Sequence, residues 1–287
     1  MCRQWRETLR SGGKYWRWPR LCVDLSKYPD QVEDLLNSKL VSLVPEIKIN
    51  TGQNKEKSLL QSIWIWITGT ADKNIFESLL ELIRDGGAAH LKKLTIAGEN
   101  LNVTPELLAE TAIKLVTLKA GLSIHQMEAI FTRLVSNQNS RLRRLEVFGG
   151  PVDLNSLDPE LVSGALVKLE VVQHPLSSKL STGQVAALFS WICNSPDMRL
   201  SELYLYRKNI SLVPPQVLIG AIQRLEWAVF GWGRMTTEQI TAILTMVKER
   251  RLGRIKTIKI FGVAGMRFVS TSLLQEAKID STLKWID

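Results

Sequence analysis

The feature that most restricts what this chain can become is a short pattern, Leu-x-x-Leu-x-Leu, that returns along most of its length. It reads Leu91/Leu94/Ile96, Leu142/Leu145/Val147, Leu200/Leu203/Leu205 and Ile255/Ile258/Ile260, and an offset set reads Leu115/Leu118/Ala120, Leu169/Val172/His174 and Leu225/Ala228/Phe230. Taking the first anchors in order (91, 115, 142, 169, 200, 225, 255), the spacings are 24, 27, 27, 31, 25 and 30 residues. Recurrence in this range marks a chain whose units each stack on their neighbours, because no single unit can bury its own apolar face.

The segments between the strands support the same reading independently. Ser123/Gln126, Ser181/Gln184 and Thr236/Gln239 each have capping-box spacing, and Leu122/Met127, Leu180/Val185 and Met235/Ile240 flank them at hydrophobic-staple spacing. Apolar residues then follow at i, i+3, i+4 and i+7: Met127, Ile130, Phe131, Leu134; Val185, Leu188, Phe189, Ile192; Ile240, Ile243, Leu244, Val247. A second class of helix opens Thr104-Pro105, Asp158-Pro159 and Pro214-Pro215, with proline where a first helical residue loses no hydrogen bond. The expected unit is therefore a pair of strand–helix repeats of roughly 50 to 60 residues in two alternating flavours.

These residues resemble the leucine-rich repeats of the ribonuclease-inhibitor-like type, from about Ile47 to the C-terminus. The resemblance implies an α/β leucine-rich-repeat solenoid, a horseshoe with parallel strands on the concave face and helices on the convex face. One departure is visible. The asparagine that usually closes the strand motif reads Glu99, Gly150 and Lys208 here, so the turns must satisfy their backbone groups by other means.

Near the N-terminus, Trp5 and Leu9 fall on one helical face, Gly12-Gly13 breaks the helix, and Tyr15, Trp16 and Trp18 cluster after it. This stretch resembles the last third of an F-box, a Cys-Arg-x-Trp helix followed by a Tyr-Trp-Arg run. The expected division is therefore an F-box-like remnant at 1–20 and a solenoid at 21–287. The front of the F-box is missing, which reads as a fragment or a truncated gene product. The resemblance implies adaptor contact through Trp5, Leu9 and Trp16. Beyond it, 21–25 and 44–49 read as strands, 30–40 as a helix, 50–57 as a loop, 62–67 as a strong strand and 283–286 as a last strand.

Charge and cysteines bound the setting. The chain carries 37 Lys+Arg against 28 Asp+Glu, a net +9 spread along its length, which favours an acidic partner surface. Cys2, Cys22 and Cys193 lack metal-ligand spacing, and a reducing compartment is the simple reading. No run approaches the ~20 apolar residues that span a bilayer, so no membrane partner and a cytoplasmic or nuclear location are expected. His90, His125 and His174 fall in different units and cannot converge on one site. Gly149-Gly150-Pro151 and Gly231-Trp232-Gly233 read as turns. No enzyme, metal or cofactor is expected.

Binding is what such an architecture offers. Side chains alternate across a strand, so the residues between the anchors face out. The expected partner-binding set is Lys93, Arg144, Glu146, Phe148, Tyr204, Tyr206, Trp227 and Lys259, since Tyr, Trp and Arg are the side chains enriched where binding energy concentrates. By resemblance the chain is the substrate-recognition part of an SCF-type (Skp–cullin–F-box) ubiquitin ligase, holding a Skp-type adaptor at its N-terminus and a protein target on its concave face. The alternative is a stand-alone repeat scaffold or inhibitor with no ubiquitin role. Mixed charge on the strand face argues against nucleic acid, which would want an uninterrupted basic stripe.

Overall fold

A computed structural model describes residues 21–22, 46–50, 65–66, 73–86, 91–97, 103–148, 153–262 and 283–286. It is an α/β chain of parallel strands and intervening helices, in two compact units. One ends at Ile130 and includes Phe148–Gly150; the other comprises Phe131–Val147 and the chain from Pro151 onward. The adaptor-contact residues Trp5, Leu9 and Trp16, the helix expected at 30–40 and His90 lie outside the described residues.

In the first unit, β1 (Leu21–Cys22), β2 (Glu46–Asn50), β3 (Ile65–Trp66), β4 (Lys93–Ala97) and β5 (Thr117–Ala120) pair in parallel: β2 with β1, β3 and β4, and β4 with β5. Helix α1 (Lys73–Arg84) is stopped by Gly86, which sits at φ +87°, a left-handed conformation that only glycine adopts without cost. Helices α2 (Pro105–Ala112) and α3 (Ile124–Ser136) follow β4 and β5.

The second unit repeats one pattern along its length. Strands β6 (Arg144–Val147), β7 (Val171–Val172), β8 (Glu202–Tyr206), β9 (Trp227–Gly231), β10 (Thr257–Phe261) and β11 (Leu283–Ile286) pair in chain order, all parallel. Between β6 and β10 each connection carries one α-helix: α4 (Pro159–Leu166), α5 (Thr182–Asn194), α6 (Pro215–Arg224) and α7 (Thr237–Lys248), the first two preceded by 3-10 turns at Leu154–Ser156 and Ser177–Lys179. Strands that pair in chain order through crossovers of one hand put their helices on the same face, and consecutive helices pack on one another there. The anchors Leu203, Leu205, Ala228, Phe230, Ile258 and Ile260 are buried on the helix side, where Phe230 stacks on Phe189 of α5 at 6.4 Å.

The two helix classes form as their sequences dictate, with one addition. Ser123, Ser181 and Thr236 accept from the amides of Gln126, Gln184 and Gln239, whose side chains accept in return. These glutamines are also buried, at 2%, 1% and 0% exposure. Their amide nitrogens donate to loop carbonyls: Gln126 to Val103, Gln184 to Leu154 and Leu157, and Gln239 to Ile210 and Val213. Where the usual asparagine is absent, glutamine at the start of the next helix thus satisfies carbonyls of the preceding loop. In the proline-started class, Asp158 caps α4 through the Leu161 amide, whereas Thr104 and Pro214 provide no side-chain cap.

Part of the positive charge is committed to the fold. Arg199 donates to the carbonyls of Gln138 and Ser140, and Arg224 to those of Cys193 and Ser195, satisfying acceptors in the last turn of a helix or just past it. The expected inward anchor at His174 is corrected: His174 is exposed, because β7 stops at Val172 and Pro175 has no N–H for a ladder.

Candidate functional site

Strand register sets the open face of the second unit. Arg144, Val171, Glu202, Trp227 and Thr257 share one level; Tyr204, Val229 and Lys259 the next open level; Tyr206, Gly231 and Phe261 the third. Of the residues expected to point outward, Arg144 is exposed and Glu146, Tyr204, Tyr206, Trp227 and Lys259 are half-buried. Val171, Val229 and Thr257 are buried instead, Val229 to 2%. The alternation is kept, but Val229 lies between the longer Tyr204 and Lys259 of the neighbouring strands. Lys93 and Phe148 belong to the first unit, where the Lys119 ammonium lies 6.0 Å from the Phe148 ring centre.

The centre of this face is bonded within itself. The Tyr204 hydroxyl donates to Glu202 Oε2 at 3.0 Å. Partial burial first, and then the Glu202 carboxylate, push this phenol up to about 12, while the Arg144 charge opposes the shift. The Lys259 ammonium sits 5.1 Å from the Trp227 ring centre, a cation–π contact. The Trp227 indole nitrogen is sealed from solvent and has no acceptor. Nearby, Glu226 pairs with Lys256 and Arg254, and its hydrogen bond from Lys256 holds its carboxyl below the usual range.

At the third level the arrangement is different. Tyr206, Trp232 and Phe261 form a ring cluster, with centres 5.9 Å apart for Tyr206–Phe261, 6.2 Å for Tyr206–Trp232 and 4.8 Å for the edge-on Trp232–Phe261 pair. Two glycines make room for it. A Cβ on Gly231 would stand 2.6 Å from the Phe261 ring and 2.9 Å from that of Tyr206, and one on Gly262 would stand 2.4 Å from the Trp232 indole. Trp232 is 60% exposed and adopts φ +50°. Arg207 and Gly262 take the same left-handed turn one residue past β8 and β10, at φ +56° and +60°.

Sequence reasoning missed Trp232 by reading Gly231-Trp232-Gly233 as a turn alone. The legible signal was a bulky ring directly after a strand, bracketed by glycines. Among the described residues no group of three His, Cys, Asp or Glu could hold a metal ion, and no helix is long and apolar enough to cross a membrane. Cys193 donates its thiol to the Val217 carbonyl, and burial pushes that thiol up, away from the thiolate a nucleophile needs. The chain matches no protein-family model and no curated protein.

Proposed function

We propose that this chain is a protein-binding module of the leucine-rich-repeat class, a horseshoe of alternating strand–helix units that holds a protein target on its strand face. The observation that carries this reading is the open face of the second unit, where Tyr, Trp, Lys, Arg and Glu side chains stand in register over a parallel sheet. A broad surface of large amphipathic side chains with both signs of charge suits a protein partner. Lys93 and Phe148 extend the same residue chemistry to the first unit. The F-box resemblance at 1–20 extends the reading to an SCF-type ubiquitin ligase, with this chain as the substrate-recognition part.

Co-expression with a Skp-type adaptor, purified through a tag on the adaptor, tests the ligase step. Co-elution is expected, and loss of it in a Trp5→Ala, Leu9→Ala, Trp16→Ala variant that keeps its melting midpoint. Absence of co-elution with the unaltered chain leaves a stand-alone repeat scaffold or inhibitor, which binds its target without ubiquitin chemistry.

A further inference from the structure

We infer that the target is gripped at one corner of the second unit, where Tyr206, Trp232 and Phe261 take an apolar side chain of an acidic peptide segment and Arg207 and Arg234 take its carboxylates. This deepens the protein-binding reading above and rests on it. The first observation is backbone strain. A bulky residue at positive φ costs roughly 1–2 kcal/mol, and Trp232 carries that cost while leaving 60% of itself in solvent. A ring retained for packing would be covered; this one is held out over Gly262, braced edge-on by Phe261. The turn itself recurs at Arg207 and Gly262; what is particular here is a large ring placed on it and left in solvent, and an exposed aromatic beside other rings points to a ligand.

The second observation is charge. Arg207 follows Tyr206 directly, Arg234 lies two residues past Trp232, both are exposed, and neither guanidinium has a side-chain hydrogen bond or ion pair among the described residues. Their backbones are fixed: the Arg207 amide donates to the Gly231 carbonyl, and the Arg234 amide to the Lys208 carbonyl. Beside them opens a cleft of about 660 Å³ lined by Lys179, Arg207 and Lys208, with Asp153 its one acid. The Asp153 carboxylate already accepts from the Asn155 amide. Elsewhere on the face the acids are engaged, Glu202 by Tyr204 and Glu226 by Lys256 and Arg254. Anchored rings beside unpaired guanidiniums are complementary to an apolar residue flanked by Asp or Glu. Nucleic acid fits less well, since Glu146, Glu202 and Glu226 would stand against phosphates.

A random-peptide display selection against the whole chain tests this, followed by affinity measurement on the enriched peptides. The expected consensus is an aromatic or aliphatic residue next to acidic ones. Trp232→Ala should weaken the best peptide about tenfold or more, and Arg207→Glu with Arg234→Glu should abolish binding, both with the melting midpoint kept. Enriched peptides that lack acidic residues, or that bind both variants as well as the unaltered chain, overturn the corner and leave protein binding elsewhere on the face. Absence of any enriched peptide overturns the corner and counts against the protein-binding reading as well. Displacement of the peptide by oligouridylate at equal concentration overturns the choice of partner in favour of nucleic acid.

Discussion

The centre and the corner of the open face are built from similar residues and do opposite things with them. At the centre, Tyr204 gives its hydroxyl to Glu202, Lys259 lies over Trp227, and Val229 beneath them is sealed, with the buried Trp227 indole nitrogen and the exposed Arg144 guanidinium as the exceptions among the described residues. At the corner, the Tyr206, Trp232 and Phe261 rings pack on one another over Gly231 and Gly262, and the adjacent guanidiniums are unpaired among the described residues. Groups already satisfied inside a protein must give up those partners before a ligand gains anything from them, whereas unpartnered ones need not. An aromatic count would rank the two regions equally. Their partners make the corner the grip and the centre the broader contact around it.

The comparison can be broken by substitutions of graded effect. Gln239→Leu touches neither region and strips donors from two buried carbonyls, so a loss of about 2–4 kcal/mol in denaturant unfolding is expected; a neutral result would mean water replaces the side chain. In the central region, Trp227→Ala with Tyr204→Ala should lower stability by about 2 kcal/mol, since a half-buried indole is removed, while binding of corner-selected peptides stays. Unchanged melting with lost target capture would instead make the centre the recognition surface.

At the corner, Arg207→Gly should raise stability by about 1 kcal/mol, because the left-handed turn then costs nothing, and should weaken peptide binding at the same time. A fall in stability would show that the arginine is structural. The smallest effect is a titration. Tyr204 is pushed up to about 12, so the folded chain keeps its proton where the unfolded chain has lost it. That contribution is complete below the ordinary tyrosine value of about 10 and is lost as pH rises through about 12. Ultraviolet phenolate titration of Glu202→Gln should show the late-titrating tyrosine moving down part of the way, since burial remains. No movement would deny the Tyr204–Glu202 bond.

Much of the architecture was legible in the chain. Leu203/Leu205 and Ile258/Ile260 announced the strands, and Ser181/Gln184 and Thr236/Gln239 the helix starts, because each is a local pattern set by a fixed geometric period. His174 misled because its spacing fits the anchor position, while Pro175 removes a ladder donor there. The candidate face was legible as an alternation. Its burial was not, since Val229 and Thr257 are sealed although the alternation alone would expose them.

By itself the sequence determined the periods: which residues enter the core, where helices begin, and that the strands would recur as similar units. Those are nearest-neighbour properties along the chain, decided within a few residues. Only the tertiary structure decided which polar groups find partners far along the chain. The glutamine amides reach carbonyls 23 to 30 residues away, and Gly231 and Gly262 matter because rings from adjoining strands close over them. Such pairings depend on register between strands, which no local pattern encodes. Register is also what leaves the Trp232 ring exposed, and Arg207 and Arg234 unpaired among the described residues, at one corner of the sheet.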